Sequence, residues 1–218
     1  MPQVNIDHYK WQYFTRPRFI MYHGILQILS EIEFKSVLEL GPGPGILSYI
    51  LKFLDKDVIT FDFDKNLYPD VVGDIRNLPF KKGSFDLVLA CQIFEHIPYN
   101  QFLSVLRDIN KISKSFFLFS VPYNQHHFEF FLNIKIIKYL YFRGFLNKIL
   151  NKIFPIYTYF GKDLKTSFPK HEEHFWEIGY KGYSIQKIRK DISRNFEIHQ
   201  EGRIVLAPYY YYFLCCKK

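Results

Sequence analysis

The sequence predicts an α/β fold built on a mostly parallel sheet, and three observations predict it. First, Val37-Leu38-Glu39-Leu40 is a short, mainly apolar strand run, followed at once by glycines at alternate positions, Gly41, Gly43 and Gly45, and then by an apolar helical stretch from Ile46 to Leu54. Second, Asp57-Val58-Ile59-Thr60-Phe61-Asp62 is an alternating strand run ending on a carboxylate, and Asp62 lies 17 residues past Gly45, the length of one helix plus one strand. Third, two further buried strand runs, 87–91 and 116–122, flank an amphipathic helix whose stripe is Phe102, Val105, Leu106 and Ile109. Strands alternating with helices give parallel pairing, because the crossover needs the helix.

The glycine turn is the organising element. A turn leading directly into a helix needs backbone angles that a Cβ penalises. It also lets a ligand approach bare backbone at a helix N-terminus, where N–H groups are free. The dinucleotide pattern G-x-G-x-x-G would need glycine where Ile46 stands, and no phosphate-loop Gly-Lys-Ser/Thr follows. Glu39, two residues before the first glycine, is a carboxylate that suits a cationic ligand rather than a pyrophosphate. S-adenosylmethionine carries an ammonium and a sulfonium and no phosphate. Asp62 would stand beside the turn, where a carboxylate accepts both ribose hydroxyls of a nucleoside.

Residues 37–45 resemble motif I of the class I S-adenosylmethionine-dependent methyltransferases, and the resemblance continues to about Pro98. The series Leu78-Pro79-Phe80, Ser84-Phe85-Asp86-Leu87-Val88 and Glu95-His96-Ile97-Pro98 is similar to the small-molecule branch labelled methyltransferase type 11. The resemblance implies a Rossmann-like fold with a seven-stranded sheet and an antiparallel last strand. It implies S-adenosylmethionine as cofactor, with Glu39 near its methionine end and Gly41, Gly43 and Gly45 meeting it through backbone. Asp62 and the adjacent Phe63 would take the ribose. Asp74 would accept the adenine amino group and Ile75 would pack on the ring. Cys91 and Gln92, at the end of the fourth strand, would pass the methionine moiety.

The chain divides around this core. Residues 1–33 read as an N-terminal helical segment with Pro17 at its start or break; the resemblance implies that Trp11, Tyr13, Phe14 and Arg18 close over the cofactor, with ordinary packing as the alternative for each. Residues 34–122 form the cofactor-binding core, with a short third strand at Val71-Val72 and Asp64 as a turn or capping residue. Residues 183–218 supply a helix striped by Ile185, Ile188 and Ile192, a strand region over 196–206 and a last strand from Tyr209 to Cys216, with Pro208 as an interruption. That leaves 123–182 as an insertion, expected to be helical and aromatic, at the sheet edge where open α/β folds bind ligands. In it, apolar pairs at 145/146, 149/150 and 153/154 alternate with Asn-Lys pairs, an amphipathic helical pattern.

Charge is unevenly spread. The net charge is +8, yet residues 1–120 balance, so the excess belongs to the C-terminal half. That half suits an anionic or lipid-like small molecule, a membrane surface touched through 128–154, or RNA. Three cysteines without framework spacing read as reduced thiols. The start of the chain lacks the basic and apolar parts of a signal peptide, and no run approaches the ~20 apolar residues of a spanning helix. A cytoplasmic protein, peripheral to a membrane at most, is the expectation.

Candidate proton-handling groups are His96, whose intrinsic pKa is near neutral, and, within the insertion, His126, His127, His171 and His174. His96 reads first as a structural or cofactor-lining residue and second as a general base. His171-Glu172-Glu173-His174 is one residue short of the zinc-protease spacing, and no metal centre is expected. The fourth strand is followed by Cys91-Gln92-Ile93-Phe94 rather than Asn-Pro-Pro-Tyr, which points away from amide and base N-methylation. O- or C-methylation of a small or lipid-like acceptor is the reading. The alternatives are an RNA methyltransferase and a non-catalytic protein of the same fold binding a partner or membrane.

Overall fold

The computed structural model describes residues 6–124, 129–132, 140–143 and 174–218. Its centre is one sheet of seven strands: β1 (Ser36–Leu40), β2 (Asp57–Asp62), β3 (Val71–Val72), β4 (Phe85–Cys91), β5 (Ser113–Pro122), and two further strands, Phe196–Ile204 and Ala207–Lys217. Between them in sequence, β6 (Glu129–Leu132) and β7 (Leu140–Arg143) form a separate antiparallel pair, so the last two sheet strands are β8 and β9. The order is β3-β2-β1-β4-β5-β9-β8, with β1 to β5 parallel and β9 antiparallel to both its neighbours. This is the α/β sheet that the sequence predicts.

Helices α1 (Arg16–Leu29), α2 (Ile46–Phe53), α3 (Tyr99–Ile112) and α4 (Ile185–Ile192) cover the two faces. Alternation along each parallel strand sends successive side chains to opposite faces. Leu38, Leu40, Val88 and Ala90 meet α3 and α4 through Phe102, Leu106, Ile188 and Ile192. Val37, Leu87, Leu89 and Leu118 meet α1 and α2 through Met21, Ile25, Leu47 and Leu51. Pro17 lies in the first turn of α1, where its missing N–H costs nothing. Ser184 caps α4 by accepting the Lys187 N–H at 3.2 Å.

Two local expectations are corrected. Residues 129–132 and 140–143 are strands rather than helix, in keeping with the strand preference of their Phe and Tyr residues. Pro208 does not interrupt the last strand; it lies inside β9, in the irregular register between the pairs Ile204–Ala207 and Arg203–Tyr211, where no ladder N–H is required. The chain reverses just before it, at Val205-Leu206, with Leu206 at φ 64°.

The C-terminal part of the insertion is pinned to the core. Trp176 is fully buried, donates its indole N–H to the Ile97 carbonyl at 3.2 Å and packs edge-on against Tyr99 at 5.0 Å between centroids. Backbone bonds from Phe175 N–H to Glu95 C=O (2.7 Å) and from Ile178 N–H to Pro122 C=O (3.0 Å) tie the same stretch to the ends of β4 and β5. Residues 174–178 therefore form a fixed wall above the sheet edge.

Candidate active site

A cavity of about 480 Å3 opens at the C-terminal edge of β1, β2 and β4, within the ~300–1,000 Å3 range usual for ligand pockets. The glycine turn makes its floor. Gly41, Gly43 and Gly45 have φ of 62°, 54° and 73°, a conformation that favours glycine. A Cβ on Gly41 would come within 1.9 Å of the Ile93 side chain, and one on Gly43 within 3.1 Å of the Tyr9 ring. The second approach locates the N-terminal segment: Tyr9 lies over the turn, and Tyr13 and Arg18 line the same cavity. Arg18 donates to the Tyr13 hydroxyl at 2.8 Å and stacks over that ring at 3.8 Å. Trp11, by contrast, is 91% exposed and stands clear.

Of the residues expected to touch the cofactor, Gly41, Gly43, Asp62, Phe63, Asp74, Ile75, Cys91 and Gln92 line this cavity. Gly45 and Glu39 do not. Gly45 caps α2 and shapes the turn from behind. Glu39 shares the face of Val37, so the pleat turns it under α2, where hydrogen bonding from Ser48 reaches it. It is 3% exposed with one carboxylate oxygen unpaired among the described residues. It stands behind the turn, within electrostatic reach of Cys91 in the cavity lining.

Burial pushes the Glu39 carboxyl up to about 7, with Ser48 and Lys52 pulling the other way. The native chain thus holds this proton through a pH range in which the unfolded chain, with a carboxyl near ~4.3, has lost it. Stability then falls as pH rises from about 4.3 to 7 and levels off above. Glu39→Gln is expected to remove this component of the slope and to stabilise the ligand-free protein at pH 8 by on the order of 3 kcal/mol. Urea midpoints at pH 5 and pH 8 for both proteins check this.

Asp62 ends β2 with one oxygen, Oδ1, accepting the Asp64 N–H at 2.8 Å. Desolvation raises its pKa despite that bond. Asp74 also faces the cavity, but its carboxylate is gripped by Arg76, whose Nε lies 2.8 and 2.9 Å from the two oxygens. An adenine amino group there would share the carboxylate with a guanidinium. At the end of β4, Gln92 takes φ 58°, a sparsely populated conformation for a non-glycine residue. Its N–H and side-chain amide both donate to Ser120, on the neighbouring strand, at 2.9 and 3.2 Å.

The other end of the cavity is the β4 side, where a short 3-10 turn (Phe94–His96) meets the wall at residues 174–178. The structure brings His96 and His174 together, ring centroids 4.8 Å apart and edge-on at 85°. Glu95, beside them, is fully buried, and neither carboxylate oxygen bonds another described residue. Burial pushes its carboxyl up to about 8, with His174 pulling it down. Glu177 accepts from His174 Nδ1 at 2.8 Å and from the Tyr209 hydroxyl at 3.1 Å on the same oxygen. His126, His127 and His171, and the amphipathic pattern at 145–154, lie outside the described residues.

Sequence reasoning missed Glu95, Tyr9, Tyr209 and Tyr210 as cavity residues. Glu95 had a signal, a carboxylate adjoining a candidate base just past a strand end. The tyrosines had none, since they reach the cavity from the two ends of the chain.

Residues 38–116 match the family described as "Methyltransferase domain". An uncharacterized protein of Methanocaldococcus jannaschii is 29% identical over 135 residues, 53% of this chain and 58% of that protein, so the match spans little more than half of the relative. Among solved structures, a Pyrococcus horikoshii protein covers 99% of this chain and 100% of its own at TM-score 0.63 and 15% identity. The magnesium protoporphyrin IX methyltransferase of Synechocystis, solved with bound S-adenosylhomocysteine, covers 93% of this chain and 83% of its own at TM-score 0.57 and 14% identity. Residues 38–116 are thus similar to a methyltransferase domain, and the chain shares the fold of these solved structures. The glycine cradle and the Asp62 carboxylate at the cavity fit S-adenosylmethionine as cofactor.

Proposed function

We propose that this protein transfers a methyl group from S-adenosylmethionine to a small or lipid-like acceptor, at an oxygen or acidified carbon. The observation that carries the reading is the continuity of one cavity, from Asp62 at the end of β2 to His96 and His174 beyond the end of β4. Asp62 would bind the ribose, Ile75 would pack on the adenine, and the backbone of Gly41 and Gly43 would meet the amino-acid part. The Gln92 backbone, held in its unusual conformation by Ser120, would pass the sulfonium. Bound, the cofactor supplies an electrophilic methyl carbon. What the chain adds is positioning and the exclusion of water.

The acceptor enters on the β4 side, where Glu95, His96 and His174 are the groups available to take up its acidic hydrogen. Arg18 brings a positive charge into the same cavity, within electrostatic reach of Glu95. This supports an acceptor carrying an acidic group. No helix among the described residues is long and apolar enough to cross a membrane.

The test is incubation with methyl-tritiated cofactor and three acceptor pools: phenolic and isoprenoid acids, lipid extract, and total RNA. Label in the first or second pool is expected, with His96→Asn lowering kcat by about 100-fold, in the usual range for a lost proton-transfer group. Label confined to RNA would contradict the proposal.

A further inference from the structure

We propose that Glu95, His96 and His174 form a binding site for one divalent cation, which holds the acceptor's oxygen at the β4 end of the cavity. One donor atom from each of the three lies within 4.8 Å of the other two. Ligands about 2.1 Å from a shared ion stand ~3–4 Å apart, so modest side-chain rotation closes the set. Two imidazoles and a carboxylate suit first-row divalent metals, leaving further positions open for substrate.

Three independent features point the same way. Glu95 is a fully buried carboxylate lining the cavity, and neither oxygen bonds another described residue. A carboxyl buried there either keeps its proton or needs positive charge close by, because ionised burial is costly, and a cation among these ligands would add to the charge that His174 and Arg18 already bring. Next, Glu177 receives His174 Nδ1 at 2.8 Å and is itself steadied by Tyr209 at 3.1 Å. An Nδ1–H donated to a carboxylate leaves the lone pair on Nε2, the arrangement by which outer carboxylates orient metal-binding imidazoles. Finally, the ligands come from two segments locked together, through Phe175 N–H to Glu95 C=O at 2.7 Å and Trp176 to Ile97 at 3.2 Å. The site is held by packed backbone.

For what the cation would hold, the inference rests on the methyltransferase reading above. An acceptor hydroxyl on the ion gives its proton to water and keeps the electron pair on oxygen, since a bound cation lowers the pKa of its ligand. His96 and His174 then act on that proton through the ion they hold, and His96→Asn lowers turnover by loosening it.

The experiment uses the full chain, freed of metal by dialysis against EDTA and titrated with Co2+, whose visible d–d bands report imidazole ligation. S-adenosylhomocysteine is titrated separately by calorimetry. One equivalent of Co2+ is expected, with Glu95→Gln and His174→Ala each weakening it by roughly 100-fold or more, beyond the 10–100-fold typical for the loss of an outer partner. Far-UV circular dichroism checks folding, and His174→Ala decides the matter if Glu95→Gln does not fold. Absence of Co2+ binding, or equal binding by the variants, would overturn the site. Glu95 as a merely protonated buried acid gives that second result, because glutamine is its close mimic. Homocysteine-nucleoside binding without Co2+ binding removes the cation and leaves the methyltransferase reading; the reverse outcome keeps the cation site and removes that reading.

Discussion

Asp62→Ala is expected to weaken S-adenosylhomocysteine binding by some 100-fold or more while leaving the fold intact. The carboxylate ends β2 beside the glycine turn, with Oδ1 accepting the Asp64 N–H. Hydrogen bonds to a charged group contribute about 1.5–3 kcal/mol each, and the ribose offers two hydroxyls. Loss of both amounts to about 3 kcal/mol or more, which is the stated factor. The cost to the fold is one local turn bond, near ~1 kcal/mol. Calorimetric titration of wild type and variant, with circular dichroism for folding, measures both quantities. An unchanged affinity would remove Asp62 from the ribose.

Trp176→Ala is expected to be the most damaging single change to stability among those considered. The side chain is fully buried, touches Tyr99 and Phe102 at 5.0 and 5.3 Å between centroids, and donates to Ile97. Truncating a buried Trp to Ala costs about 3–5 kcal/mol. For a chain of this length that lowers Tm by roughly 10 °C or more. Trp176→Phe keeps most of the packing and loses the indole bond, so a drop nearer ~1–2 kcal/mol is expected. The same residue anchors the wall carrying His174, so Trp176→Ala should also weaken cation binding. Differential scanning calorimetry on the two variants separates the packing loss from the hydrogen-bond loss.

The glycine turn, the place of Asp62 beside it and the succession of strands along the chain were legible because each rests on local signals. Positive φ at alternate glycines, a period-2 run ending in a carboxylate and a striped helix between strands all lie within short windows of sequence. Glu39 stays out of the cavity lining for an equally local reason. Its distance from Gly41 suggested the ligand, but strand alternation puts it on the face of Val37, toward α2 rather than the cavity. Counting faces from Leu38 and Leu40 would have shown it. Tyr9, Tyr209 and Tyr210 could not be read, because their place depends on how the two ends of the chain fold over one sheet edge. The meeting of His96 and His174 is similar: 78 residues separate them in the chain, and the contact exists only because Trp176 docks on Ile97 and Tyr99.

The central claim is tested most directly by calorimetric titration of the unmodified protein with S-adenosylhomocysteine, and with NAD in parallel. The account predicts one site per chain for the homocysteine nucleoside, with a dissociation constant in the micromolar range or tighter, and no heat of binding for NAD. Absence of binding by S-adenosylhomocysteine, or binding by NAD at the same site, would contradict it.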